Sequence, residues 1–160
     1  MLPLLLGLSS LPVLMFNPSR ELVPNFRSNR PSYLTQSAME RLFFNQPRLL
    51  GPYQRAIEAI AGSNASQVGL ILGSFQHWEY PVWRMLRDRK LDHPVRIEHV
   101  NVPGTPRWPV RPFVPDVVFW SLEEGEPPPT LVVDGREFVR IGPPDMAVIY
   151  ARTGFAPPEY

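Results

Sequence analysis

The stretch QVGLILGSFQHWEYPVWRML, residues 67–86, decides how this 160-residue chain folds. Residues 67–73 form a near-continuous apolar run of strand length, a pattern typical of a strand covered on both faces. Residues 78–90 then follow a helical pattern. Glu79 in its first turn suits the helix dipole, and the missing N–H of Pro81 costs little there. The stretch therefore predicts a central strand, a tight loop and a helix.

The segments after this stretch predict the rest of a sheet. Residues 94–102 are β-branched and alternating, and a strand, helix, strand unit of this length implies a parallel crossover. Asp134 and Gly135 divide residues 130–141 into two alternating runs, the pattern of a β-hairpin. Two more strands are predicted at 115–120 and 146–152. The predicted fold class is α/β: a small three-layer, Rossmann-like domain whose mixed sheet has a parallel core and an antiparallel hairpin.

Two short helices are predicted before the central strand. Ser37 and Glu40 have the spacing of a capping box, which predicts a helix over residues 37–45. Residues 53–61 place their apolar side chains on one face, which predicts a second helix. Gly62 to Asn64 then supply residues that end helices.

The first 16 residues, MLPLLLGLSSLPVLMF, carry no charge. They lack the basic start and the small-residue cleavage site of a secretory signal, and they are shorter than the roughly 20 apolar residues of a complete span. The sequence predicts an apolar N-terminal helix over residues 1–20, the end of a transmembrane helix, followed by a soluble α/β domain over residues 21–160. The alternative is a buried helix that belongs to the core.

The composition narrows the classes of partner. Sixteen basic and fifteen acidic residues give a formal net charge of +1, so no electrostatic footprint for nucleic acid is expected. The chain has no cysteine, which excludes disulfides and thiolate metal sites. It contains 21 prolines, and proline is thus more than twice as frequent as its usual share of about 5%. The prolines cluster in residues 103–115 and 127–144, which predicts extended connections there.

The loop after the central strand is the predicted binding edge. Open α/β sheets bind ligands at the carboxyl ends of their strands, and the loop would place several polar and aromatic side chains there. The residues expected to contact a ligand or partner are Ser74, Gln76, His77, Trp78, Glu79 and Tyr80.

No catalytic residue, metal site or cofactor is predicted at this edge. His77, Glu79 and His99 would approach one another in a parallel sheet, but their spacing matches no strong metal motif. A carboxylate at the position of Glu79 is explained by helix capping. The chain also lacks the glycine-rich patterns of nucleotide-binding loops and the G-x-S-x-G elbow of hydrolases.

The aromatic residues of the loop and helix allow two interpretations. Trp78, Tyr80 and Trp83 would form a platform for a sugar or another flat ligand. Aromatic side chains at the start of a crossover helix are more often core, and this interpretation is preferred for Trp83 and, less strongly, for Trp78. Asp116, at the start of the third strand, is expected to be a turn residue rather than a catalytic one.

Several of these segments together resemble a known family. The order NPSR after an apolar helix, then VGLILG, WEYPVWRML and RIEHVNV, resembles the carboxyl-terminal soluble part of bacterial multi-spanning membrane glycosyltransferases. That group is similar to the dolichyl-phosphate-mannose protein mannosyltransferases, which use a polyprenyl-phosphate sugar as donor. The resemblance covers roughly residues 1–102, and Trp78 to Pro81 is its most distinctive part.

The resemblance implies an extracytoplasmic domain that follows the last membrane helix. The acidic residues that carry transfer in the family lie on an early loop between membrane helices, and this chain has no such region, so no catalytic residue is carried over. The leading hypothesis is a non-catalytic, carboxyl-terminal domain attached to the membrane through residues 1–16. Its expected partners are the membrane helices of a larger glycosyltransferase and a glycan or polyprenyl-phosphate sugar. The alternative is a free-standing α/β ligand-binding module or small enzyme with a site around His77, Glu79 and His99.

Overall fold

The computed structural model describes residues 32–73, 78–100, 112–121 and 126–155. The predicted apolar helix and the boundary at residue 20 lie outside these residues. The chain divides into two compact units, Met1–Leu50 and Gly51–Tyr160. In the part of the chain that the structure describes, no helix has the length and apolar character needed to cross a membrane.

The described residues of the first unit form one short helix, α1 (Ala38–Leu42), and a 3-10 turn, Pro47–Leu49. The predicted capping box is confirmed: the Ser37 hydroxyl accepts from the Glu40 N–H at 3.2 Å, and the Glu40 carboxylate accepts from the Ser37 N–H at 2.7 Å. These bonds lower the pKa of Glu40. Tyr33 packs edge-on against Phe44, with ring centroids 5.9 Å apart.

Two helices and six strands lie among the described residues of the second unit. The helices are α2 (Leu50–Gly62) and α3 (Glu79–Asp88). The strands are β1 (Gln67–Leu72), β2 (Arg96–His99), β3 (Val117–Ser121), β4 (Thr130–Val133), β5 (Arg136–Ile141) and β6 (Ala147–Arg152). Every predicted strand and helix in this unit is present, with bounds shifted by a few residues.

The strands form one mixed sheet in the order β2-β1-β3-β6-β5-β4. The pairs of β1 with β2 and with β3 are parallel, and the remaining three pairs are antiparallel. The prediction of an α/β fold with a parallel part and an antiparallel hairpin at its edge is therefore confirmed. β1 is the middle strand of the parallel part, whereas β3 and β6 occupy the centre of the whole sheet.

The hairpin between β4 and β5 turns at the predicted residues. Asp134 and Gly135 both have positive φ, 50° and 75°, which is the geometry of a two-residue type I′ turn. This turn matches the twist of the flanking strands, so it fixes the register in which Val133 faces Arg136.

One face of the sheet, the helix face, carries Leu70, Ile97 and Phe119 and is covered by both α2 and α3. Tyr53 of α2 packs against Phe119 with ring centroids 5.0 Å apart. Burial raises the pKa of the Tyr53 phenol to about 12, against a smaller opposite effect of its bond to Ser121. Because both described helices lie on this face, the third layer of the predicted architecture is not among the described elements.

The other face, the aromatic face, is built around Trp120 and Tyr150. Their rings meet at 90° with centroids 6.1 Å apart, and the Tyr150 hydroxyl donates to the Pro128 carbonyl at 2.8 Å. The buried residues of this cluster are Val100, Val118, Trp120, Val133, Phe138, Val148 and Tyr150. All five residues of β3 are buried, so the centre of the sheet is covered on both faces.

Candidate functional site

The carboxyl ends of β1, β2 and β3 lie at the same edge of the sheet, because these strands are parallel. The chain leaves β1 toward β2 on one side and leaves β3 toward the hairpin on the other. At this point of divergence the Gly73 N–H donates to the Ser121 carbonyl at 3.0 Å. Open α/β sheets bind ligands in the crevice where neighbouring connections diverge in this way.

The predicted binding edge lies next to this crevice. Ser74, Gln76 and His77 fall outside the described residues. Trp78 is half-buried and directly precedes α3, and Glu79 is the first residue of the helix. Tyr80 is 60% exposed.

Glu79 joins α3 to the end of β2. One carboxylate oxygen, Oε2, lies 2.9 Å from Nε2 of His99. The other, Oε1, accepts the indole N–H of Trp83 at 2.8 Å, one helical turn further along α3. The predicted approach of Glu79 and His99 is confirmed, and the indole is a partner that the sequence did not indicate.

These two contacts determine the charge on Glu79. The bond to His99 is the largest influence and the bond to Trp83 the second, and together they lower the pKa of the Glu79 carboxyl against a smaller effect of burial. Glu79 is therefore an ionised hydrogen-bond acceptor at neutral pH, and it is unsuited to donate a proton as a general acid. It instead fixes the orientation of the imidazole and indole rings.

Two interpretations from the sequence need correction. The start of α3 has no side-chain cap, so a capping hydrogen bond does not explain Glu79, although its position in the first turn suits the helix dipole. Its carboxylate instead reaches sideways to β2. Trp83 was expected in the core but is 42% exposed. The helix buries Pro81, Val82, Met85 and Leu86, which turns Trp83 to the edge of that apolar face.

The described residues contain no group of three or more His, Asp or Glu side chains able to hold a metal ion. His77, the third member of the set considered from the sequence, lies outside them. Asp116 is a structural residue, since its carboxylate binds groups at the amino end of β1 rather than at the ligand-binding edge.

A groove between α3 and β2 was not predicted. Its volume is about 460 Å³, and its helix side is lined by Tyr80, Trp83, Arg84 and Arg87. Its strand side includes Val95 and Ile97. The spacing i, i+3, i+4, i+7 of the four helix residues marks a single face of α3; this spacing is visible in the sequence, but it does not show that β2 lies opposite that face.

Comparison of the chain with protein-family models, with curated proteins and with solved structures finds no significant match.

Proposed function

We propose that this chain is the carboxyl-terminal, extracytoplasmic and non-catalytic domain of a membrane glycosyltransferase that uses a polyprenyl-phosphate sugar. Residues 1–16 attach it to the membrane, and its Rossmann-like domain presents the edge from Ser74 to Tyr80 to a glycan or to the membrane helices of the enzyme. The family resemblance of residues 1–102 and the uncharged apolar start support this proposal.

The observation that carries the glycan part is the fixed Glu79 carboxylate beside exposed aromatic rings. Tyr80 and Trp83 offer apolar faces on the surface, and both rings keep a polar end. Glu79 is an ionised acceptor held in one orientation by two hydrogen bonds. Binding sites for small polar molecules combine apolar walls with a few fixed polar groups in this manner, and sugar hydroxyls are suitable donors.

Flotation with liposomes tests the membrane attachment. The full chain is compared with a chain that starts at Glu21. We expect only the full chain to float, and the shorter chain to stay in solution with unchanged circular dichroism. Flotation of neither chain, or unfolding of the shorter one, would assign the first 16 residues to the core and contradict the proposal.

Titration with a mannose-containing oligosaccharide, followed by NMR of the backbone amides, tests the binding edge. We expect shifts around Glu79 and Tyr80 that are lost in Tyr80→Ala and weakened in Glu79→Gln. Val132→Ala, a change at a residue 66% exposed on strand β4, is the matched control and is expected to leave the titration unchanged. Equal shifts in all variants would exclude this edge as the sugar site.

The contact between Glu79 and His99 favours a second candidate, a free-standing small enzyme or ligand-binding module. The carboxylate orients the imidazole through Nε2, a pairing that activates histidine as a proton acceptor in many enzymes. Hydrolysis of a nitrophenyl ester by the chain is the test, with His99→Ala as the variant and His93→Ala as the control. Activity lost only in His99→Ala supports this candidate, and equal rates in all three chains remove it.

A further inference from the structure

We infer that the groove between α3 and β2 binds an extended segment of a partner polypeptide, which adds to the outer edge of β2 and carries carboxylates that face α3. This inference shares the exposed rings of Tyr80 and Trp83 with the proposed sugar site, but it rests on other observations. It rests on the free backbone groups of the edge strand, the exposed aromatic side chains of the helix and the charge of the groove.

The outer edge of β2 has backbone groups that no described strand pairs. β2 is the first strand in the sheet order, with β1 as its one neighbour among the described strands. The N–H groups of Arg96 and Val100 donate to β1 and its preceding residue, at 2.8 and 3.0 Å. Because alternate residues of a strand face opposite neighbours, the N–H and C=O of Ile97 and His99 point outward. An added strand would satisfy these groups.

The helix side of the groove offers apolar surface next to this edge. Tyr80 and Trp83 are 60% and 42% exposed, and both line the groove beside Ile97. Side chains of an added strand would alternate between solvent and the groove. Those that point into the groove near the end of β2 would contact the two rings.

The charge of the groove indicates an acidic partner. Its lining includes Arg84, Arg87, Lys90 and His93, and no aspartate or glutamate. Arg84 pairs with Asp88 at 2.8 Å, and His93 pairs with Asp92. Arg87 and Lys90 are exposed and have no acidic partner among the described residues. Two unpaired cations on one wall complement carboxylates on a ligand.

The arrangement of these groups along α3 gives the ligand a pattern. From Tyr80 to its end at Asp88 the helix rises about 12 Å at 1.5 Å per residue, which an extended peptide covers with about four residues. Lys90 follows just beyond the end of the helix. α3 returns between two parallel strands, so its aromatic start lies beside the end of β2 and its basic end beside the start. A matching ligand has an apolar residue beside the aromatic start of α3 and two acidic residues beside its basic end. These three residues are each two positions apart, so that all of them face the groove.

The probes are the peptide Ac-Glu-Thr-Glu-Thr-Leu-Thr-NH2 and the peptide of reversed sequence, which cover both strand directions. Each is titrated into the full chain and followed by hydrogen exchange of the backbone amides. We expect one of them to slow exchange at Ile97 and His99. Arg96 and Val100, already bonded to β1 and its flanking residue, serve as internal controls and are expected to change little. If neither peptide protects these amides at about 1 mM, the inference is wrong.

Two charge changes test the complementarity. Arg87→Glu, on the exposed face of α3, is expected to weaken binding about tenfold, because it removes an attraction and adds a repulsion. Arg136→Glu makes the same change in charge on β5 and is expected to leave the affinity unchanged. Equal loss in both variants, or in neither, would contradict a specific acidic partner.

Two further ligands separate strand addition from other occupants. The better peptide with N-methylated backbone amides keeps its charges but cannot donate to the strand, and we expect it to lose binding. Equal binding of the methylated peptide would overturn strand addition. Displacement of the peptide by inorganic phosphate at equal concentration would assign the basic end of the groove to a small anion instead and overturn the inference.

Discussion

The Asp116 carboxylate, directly before β3, binds residues of β1 and β6 at one end of the sheet. Its Oδ2 accepts from the Ser66 N–H at 3.1 Å and from the Gln67 N–H at 3.0 Å. Its Oδ1 lies 3.3 Å from the Arg152 guanidinium. One carboxylate therefore joins the amino ends of β1 and β3 to the carboxyl end of β6.

Replacing Asp116 with alanine leaves these donors without their acceptor. Hydrogen bonds to charged groups contribute more than neutral ones, and we expect a loss of about 2–3 kcal/mol in the free energy of unfolding. Urea denaturation measures it. Asp88→Ala breaks an exposed pair within α3 and is the control, expected to cost much less. Similar losses in both variants would refute the role of Asp116.

His93 gives the second unit a dependence on pH. Its Nδ1 lies 2.8 Å from Oδ1 of Asp92, and its Nε2 lies 3.2 Å from the Ala65 carbonyl oxygen. Both neighbours are acceptors, so the doubly protonated ring donates to each. The bond to Asp92 contributes most and the bond to Ala65 second, and they raise the pKa of His93 above 6.5.

The sign of the effect follows from the raised pKa. The charged form is favoured by folding, so the stabilisation is fully present below pH 6.5, the unfolded value, and is lost as the pH rises through the higher folded value. Thermal unfolding between about pH 5.5 and 9 is expected to show this decline in the natural chain and a smaller decline in His93→Gln. Parallel curves for the two chains would contradict the assignment.

At the scale of elements, the β4–β5 hairpin depends on its turn. Gly135 has a φ of +75°, and a Cβ added there would meet nothing within 4 Å. Any loss of stability in Gly135→Ala therefore comes from backbone strain, and we expect the free energy of unfolding to fall by about 1–2 kcal/mol. Chemical denaturation measures the loss, and Gly51→Ala in α2, where the added Cβ has ordinary space, is the control. A neutral Gly135→Ala would mean that the turn does not have this conformation in solution.

Helix α3 shows what the sequence could and could not predict about an element. Its position and its start at Glu79 follow from the apolar pattern and from Pro81. The exposure of Trp83 could not be predicted from the sequence. Val82 and Trp83 are adjacent apolar residues, and which of the two side chains is buried depends on how α3 packs against the sheet. The approach of Glu79 to His99 could be predicted, because Glu79 follows β1, His99 ends β2, and the two strands are parallel. The indole bond to Glu79 depends on side-chain orientation, which the sequence does not determine.

At the scale of the whole molecule, Gly69 is where the connection from β2 to β3 approaches β1. A Cβ there would lie 3.1 Å from Val100 Cγ2 and 3.3 Å from Pro115 Cβ, at the two described ends of that connection. We expect Gly69→Ala to cost about 1–3 kcal/mol through overpacking. Denaturation midpoints measure the cost. The double variant Gly69→Ala, Val100→Ala removes the two methyl groups that crowd the new Cβ, so we expect the Gly69→Ala change to cost less in that background than alone. An equal cost in both backgrounds would show that Val100 is not the source of the crowding.

The topology of the sheet could be predicted only in part. Apolar runs located the strands, and Asp134 with Gly135 identified one antiparallel pair. The insertion of β6 between β3 and β5 is a contact between distant residues, such as Phe119 with Ile149, and no local pattern specifies it. The α3–β2 groove also depends on long-range order, because β2 lies at an edge of the described sheet where β3 pairs with the opposite side of β1. The shared edge at the carboxyl ends of β1, β2 and β3 could be predicted, since strand polarity follows from the crossover unit; a binding site at that edge stays a prediction.

The late position of β6 in the chain has a consequence for synthesis on the ribosome. β3, with the sequence VVFWS, emerges about 25 residues before the strand that covers its antiparallel edge. During that interval the nascent chain exposes unpaired backbone along a strongly apolar strand, the kind of edge that promotes association between chains. A chain released before β6 has been made is therefore expected to aggregate more than the full chain.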